Sequence, residues 1–308
     1  MCLTNTLGFV LAIASMTLYG LYMVPRKKSS IPQGVYTFWM GCGILISTFI
    51  IGMLSGNISR VNVLQYAMIF GSGLLWATGT DAYCRAVRSI GLSRSTPIKN
   101  TSAILGTLFG IIFFSEFSLS GALPVAFALL GSISIVVSAT ILGRLEVTEI
   151  PGHCCSEQSK SPLYGILYSI WAAGSYSAYT IPMKIVYTQG ITPSSFLFYM
   201  GQGCFVGMAV IAYLSRTRSD APVTWRDRNL AQISGAMWAL GSLCANVAIK
   251  MIGVAIAWPI TKNTVVAVLF GVLVLKEIDA VRHKKDLRLG LVLSVLGVAL
   301  LAFATVHR

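Results

Sequence analysis

Charge is scarce in this chain: Lys, Arg, Asp and Glu make up 11% of the 308 residues, and only 10 residues are acidic. A soluble domain of that size needs a far more polar surface than a chain that is 55% hydrophobic, with a mean hydropathy of +0.75, can supply. Histidine is nearly absent, and His153, His283 and His307 fall in connecting segments or at the end. No metal cluster, nucleophile with a base or phosphate-cradling loop can be assembled from that stock, so neither a metal nor a cofactor is expected. An intramembrane enzyme would have to work with an Asp and a Lys alone. Cysteine is sparse as well: Cys42, Cys84, Cys204 and Cys244 lie in apolar stretches, and Cys154 and Cys155 are neighbours in one loop. That pattern excludes a disulfide framework and lacks metal-ligand spacing.

What fills the chain is a series of apolar runs. A helix needs roughly 20 residues to cross a bilayer core. The runs are placed at about 7–25, 33–54, 64–88, 96–114, 121–142, 162–186, 194–215, 229–250, 254–275 and 287–305. Ten such spans leave no room for a soluble catalytic domain. The runs lack the ten-residue alternation of an outer-membrane barrel, and lipid-facing backbone must be paired within its own segment, so all are expected to be α-helical. The first run has no basic stretch before it and is followed by Arg26, Lys27 and Lys28, so it is expected to remain in the membrane rather than be cleaved.

The formal net charge of +13 does not point to nucleic acid, because the basic residues sit in short loops and form no face with interleaved aromatics. Of the 23 Lys and Arg, 18 follow odd-numbered spans. Arg60, Lys184, Lys250 and Arg308 fall on the opposite side, and Lys262 inside a span. Basic loops mark the cytoplasmic side, so both termini are expected to face away from the cytoplasm.

The chain also repeats itself. Residues 97–116, PIKNTSAILGTLFGIIFFSE, return as residues 259–277, PITKNTVVAVLFGVLVLKE, with Pro-Ile, Lys-Asn-Thr, Leu-Phe-Gly and a terminal Glu in common. Tyr19, Tyr22, Pro25 and Lys27 return as Tyr176, Tyr179, Pro182 and Lys184, the pattern Tyr-x-x-Tyr-x-x-Pro-x-Lys written twice. Trp39-Met40-Gly41 is answered by Tyr199-Met200-Gly201, and Trp76-Ala77 with Gly79 by Trp238-Ala239 with Gly241. Two halves follow, 1–142 and 162–308, joined by a loop at 143–161 that holds Pro151, Gly152, Ser156 and Ser159. Five spans per half is an odd number, so the second half must enter from the opposite side and the repeats must be inverted.

The candidate site residues come from these repeats. Lys262 lies well inside a span, where a lysine costs roughly 2.5–3.5 kcal/mol on insertion scales, so it should face the bundle interior. It either snorkels or pairs with a carboxylate, or it donates to a substrate oxygen; Lys99, at the matched place, carries the same alternatives. Tyr19 with Tyr22, and Tyr176 with Tyr179, share a helix face, and a proline three residues beyond each pair loosens the backbone there. They serve as an interfacial belt or as an inward face. Trp39, Trp76 and Trp238 suit packing or flat stacking on a sugar ring, with Asn100, Asn263, Gln202 and Asn246 as the polar complement. Asp81 pairs with Arg85 one turn on or carries a coupling proton. Glu116 and Glu277 end both copies of the motif, where anchoring a loop or pairing with a basic neighbour is expected. Gly106 with Gly110 and Gly203 with Gly207 are spaced for close helix packing.

On the strings YGLYMVPRKK, LLWATGTDAYCRAVRSIGLSRSTPIKNT with LFGIIFFSE, and WPITKNTVVAVLFGVLVLKE, the chain resembles the drug/metabolite transporter superfamily. Within it the chain is similar to the glucose, ribose and rhamnose porter branch, which also holds eukaryotic carbohydrate-transporter-like proteins. It differs in having Gly79-Thr80-Asp81 where that branch often has Gly-Asn after the tryptophan. The resemblance implies ten helices in two inverted halves around a central cavity. It also implies proton-linked or facilitated uptake of a neutral sugar in the cell membrane, with no ATP-hydrolysing partner. The alternatives are an exchanger of anionic metabolites, such as sugar phosphates or nucleotide sugars, clamped by Lys99 and Lys262, and a structural membrane subunit. The partners expected are a sugar or related metabolite and the lipid bilayer, with a homodimer left open and nucleic acid excluded.

Overall fold

The computed structural model describes residues 2–29, 31–90, 92–118, 121–145, 162–215, 223–274 and 282–306. Among them every regular element is helical. The first half holds α1 (Cys2–Leu21), α2 (Val24–Lys27), α3 (Gln33–Leu54), α4 (Val63–Ile90), α5 (Leu92–Asn100), α6 (Ser102–Ile112) and α7 (Ala122–Gly143). The second holds α8 (Pro162–Ala178), α9 (Thr180–Thr188), α10 (Pro193–Leu214), α11 (Trp225–Ile252), α12 (Val254–Thr261), α13 (Val265–Leu273) and α14 (Lys284–Val306). Most of the connecting loop and Glu277 lie outside the described residues.

Of the ten expected spans, seven are long and apolar enough to cross a bilayer, among them Gln33–Leu54, Pro193–Leu214 and Lys284–Val306. The stretches 63–90, 92–112 and 162–188 do not meet that measure. In α4 the length suffices, but Gln65, Ser72, Thr78, Thr80, Asp81 and Arg85 dilute the apolar run. Polar residues dilute the other two as well, Arg94, Lys99 and Asn100 in the one and Ser169, Ser175, Ser177 and Lys184 in the other; both are also interrupted, α5 passing into α6 at Thr101 and α8 into α9 at Tyr179.

The interruptions have a covalent cause in two places. Proline has no N–H to donate to the carbonyl four residues back. α1 ends at Leu21, four residues before Pro25, and α8 ends at Ala178, four before Pro182. Between α12 and α13 the break falls at Lys262 to Thr264. Backbone freed in this way at membrane depth is tolerated where it is buried in protein or lines a polar cavity.

The bundle packs by small residues inside and large apolar ones outside. Lipid-type faces carry Leu54, Val63, Val292 and Val295, all strongly exposed, while serines at the interfaces bond back to the preceding turn, as Ser132 to the Ala128 carbonyl at 2.9 Å and Ser169 to that of Gly165 at 2.9 Å. α1 lies along α11 and α8 along α4; α3 packs on α11 and α10 on α4; α3 and α10 meet each other, and α7 pairs with α14. Gly203 and Gly207 set α10 against α4, where an added methyl would lie 2.1 Å from the Phe70 carbonyl oxygen and 2.6 Å from Ala77 Cβ.

Candidate functional site

Lys262 closes α12, its backbone N–H shared between the Trp258 and Pro259 carbonyls at 3.2 Å each. The residue is half-buried. Its Nζ lies 4.0 Å from the centroid of Trp258, 4.7 Å from that of Tyr19 and 5.7 Å from that of Tyr176. Among the described residues no carboxylate stands within 4.0 Å of it. Ring faces therefore take the place of a counter-ion, each desolvated contact of this kind contributing roughly 2 kcal/mol.

The rings themselves are pinned. Tyr19 Oη and Ser242 Oγ are 2.8 Å apart. Tyr176 Oη donates to Thr80 Oγ1 at 3.0 Å, because the threonine proton is already given to the Trp76 carbonyl at 2.9 Å. Trp258 Nε1 donates to the Ser102 carbonyl at 3.1 Å, and Tyr179 meets the Trp258 ring edge-on at 5.3 Å. Tyr22 sits edge-on to Tyr19 at 6.5 Å. The repeated tyrosines of α1 and α8 thus face one ammonium. An ammonium has three donors and no acceptor, so what the cage lacks is an oxygen to receive them.

The other predicted residues are distributed elsewhere. Lys99 lies 4.9 Å from the Tyr83 ring, whose Oη is 2.8 Å from Thr96 Oγ1, so each repeated lysine has a tyrosine face of its own. Trp76 and Trp238 lie tilted against each other, centroids 4.2 Å apart at 43°, and both are buried, the packing alternative of the two expected for them. Trp39 lies against Phe38 and the Arg228 guanidinium, 5.3 Å away, rather than in the Lys262 cage. Gln202 accepts from Tyr66 Oη at 3.0 Å. Asn263 is used structurally: its Oδ1 accepts from Val265 N at 3.1 Å, capping α13, and its Nδ2 donates to Ser294 Oγ at 2.6 Å. Asn100, 1% exposed, has no partner among the described residues for either amide atom, and Asn246 none there for Nδ2. Asp81 Oδ2 accepts from Arg85 Nε at 2.7 Å, with the two side chains 25% and 44% exposed, so this carboxylate is already engaged within its own helix.

Sequence reasoning passed over Trp258, Ser242, Thr80 and Tyr83. A residue directly before the second motif's Pro259 was a signal for Trp258, but the first copy has Thr96 there, and a search for matched pairs discards it.

The model of the sugar transport protein family matches residues 10–304. The chain belongs to that family. A relative from Bacillus anthracis named for sugar uptake is 26% identical over 302 residues, 96% of this chain and 98% of its own. One from Listeria monocytogenes, also named for sugar uptake, is 26% identical over 76% of this chain and 78% of its own. A Bacillus cereus protein named for glucose uptake is 23% identical over 88% and 90%. One solved crystal structure superposes with a TM-score of 0.72 over 97% of this chain and 96% of its own at 15% identity, a likeness of fold alone. The chain is thus a multi-pass membrane protein, and its relatives carry the names of uptake proteins rather than enzymes.

Proposed function

We propose that this protein carries a neutral sugar across the membrane by alternating access, as a secondary transporter with ten spans in two inverted five-helix halves, 1–142 and 162–308. The sugar is taken at the Lys262 cage, with Tyr19, Tyr22, Tyr176, Tyr179 and Trp258 as its aromatic walls. The observation that carries the reading is the convergence of the repeated Tyr19 and Tyr176 on an ammonium that has ring faces and, among the described residues, no carboxylate within 4.0 Å. The repeated packing of α1 on α11 and α8 on α4, and the matched helix breaks before Pro25 and Pro182, support the two halves. Breaks of this kind near the bilayer midplane are where secondary transporters place substrate.

The absence of a counter-ion favours one competing reading, exchange of an anionic metabolite. The ring faces argue against it, because the π surface is the negative side of the aromatic quadrupole and repels an anion seated among the rings. Transport of labelled glucose into proteoliposomes, with and without a pH gradient or preloaded sugar phosphate, tests the reading. Uptake that requires preloaded anion would overturn it.

Two further results are expected. In a cysteine-labelling scan of intact cells, Thr192→Cys should react from outside and Ser219→Cys only after permeabilisation, since the basic loops follow odd-numbered spans. The reverse pattern would invert the topology. Asp81→Asn should leave pH-driven accumulation unchanged, because the carboxylate serves Arg85 in a partly exposed pair whose contribution is about 0–1 kcal/mol. Loss of accumulation with counterflow exchange intact would instead make Asp81 the coupling group.

A further inference from the structure

Glu116 lies beyond the end of α6 and outside the cage, yet it touches α9, which continues α8, and α12, and so reaches two of the three segments around Lys262. Its side chain is 2% exposed. Oε1 accepts from Lys184 Nζ at 2.8 Å and from Val254 N at 2.9 Å, and Oε2 accepts from Ala255 N at 2.9 Å. Lys184 belongs to α9, the continuation of the helix that carries Tyr176 and Tyr179. Val254 and Ala255 open α12, the eight-residue helix that carries Trp258 and ends on Lys262. One carboxylate therefore joins the tyrosine wall to the lysine wall, midway along α9 and at the end of α12 away from Lys262.

The surroundings are built to put it there. Ser115, with φ +49°, is the one non-glycine residue at positive φ among the described residues, and the turn it makes sends Glu116 back into the bundle. α6 comes close enough for this because Gly110 lies against Ala255, where an added methyl would be 2.6 Å from Ala255 N. A carboxylate at the positive end of α12, facing an ammonium as well, meets three donors, so its removal from water is compensated by charge-assisted bonds.

We infer that Glu116 is a positioning residue for the Lys262 cage: it fixes the start of α12, and through Lys184 it makes α8–α9 and α12 move as one unit. α8–α9 is hinged at Tyr179 and the α12–α13 stretch at Lys262, so without the clasp each wall is free to swing separately. The inference rests on reading the Lys262 cage as the sugar site, but its first readout does not.

That readout is amide hydrogen exchange on the purified protein and on Glu116→Gln and Lys184→Met. Glu116→Gln is expected to speed exchange at Val254 and Ala255 about tenfold or more while α7 and α14 stay unchanged; Lys184→Met is expected to speed exchange in α9 and leave the start of α12 alone. In glucose uptake both variants should lower the maximal rate several-fold. Lys184→Met should do so at unaltered half-saturation, since Lys262 stays fixed through Glu116, whereas Glu116→Gln should also raise half-saturation. A part that merely holds the fold together would not divide rate from half-saturation in this way. Unchanged exchange in both variants, or wild-type uptake in both, overturns the inference. If Glu116→Gln fails to fold, Glu116→Asp carries the same comparison, its shorter carboxylate expected to reach α12 or Lys184 but not both. The expected exchange pattern in a protein that takes up no glucose would support the clasp and refute the sugar reading.

Discussion

Lys262→Gln is expected to keep measurable uptake of labelled glucose, with half-saturation weakened about tenfold and no loss of thermal stability. A hydrogen bond from a charged donor to a sugar hydroxyl contributes about 1.5–3 kcal/mol, one from a neutral amide about 0.5–1.5 kcal/mol. The difference of about 1.4 kcal/mol is a factor of ten. Stability should hold because, among the described residues, the ammonium has no carboxylate to leave stranded, so the loss of its ring contacts is offset by removal of a desolvated charge. In an anion exchanger the charge itself would bind. A pair at 4 Å contributes about 4 kcal/mol at an effective dielectric near 20, and its loss would reduce affinity about a thousandfold. Sugar phosphates are therefore expected not to compete with glucose. Strong competition that Lys262→Gln removes would overturn the neutral-sugar reading and leave the exchanger in its place.

Gly106→Ala should reduce uptake at least as severely, through packing rather than charge. A methyl at residue 106 would lie 2.1 Å from Trp258 Cδ1 and 2.8 Å from Cγ of the same ring. The indole has little freedom to move aside, because Nε1 is bonded to the Ser102 carbonyl, Tyr179 abuts the ring, and the ring backs Lys262 at 4.0 Å. Either α6 separates from α12 or the indole turns out of the cage. Overpacking of this kind costs about 1–3 kcal/mol, occasionally more. Uptake is expected to fall about tenfold or more, with a lower unfolding temperature. Gly174→Ala in α8, where an added methyl would meet nothing within 4 Å, is the matched control and should leave both unchanged. Equal behaviour of the two variants would show that Trp258 has no part in the site.

The repeats made much of this legible in advance. Tyr19, Tyr176 and Lys262 each belong to a motif written twice, and the structure brings those three together. For Trp76 and Trp238 the repeats left packing and sugar stacking open: residues matched across two halves can meet each other, and these do. The interruptions at Tyr22, Thr101, Tyr179 and Lys262 were hidden by the apolar runs, since hydropathy continues unbroken where the hydrogen-bond ladder does not. Prolines 25 and 182 marked two of them. Glu116 was recognisable as an anchor, but its partners were not, because a contact between α6, α9 and α12 depends on the helix packing register, which no single sequence displays.

The Trp76 and Trp238 contact has an optical side. Two indoles 4.2 Å apart at an interplanar angle of 43° are near enough for their excited states to mix, and the mixing depends steeply on separation and tilt. One ring is carried by α4 and the other by α11, the two longest helices among the described residues. Any rocking of one helix against the other must slide one indole across its neighbour. The pair would thus serve as an intrinsic spectroscopic gauge of any motion of α4 against α11, with no label added.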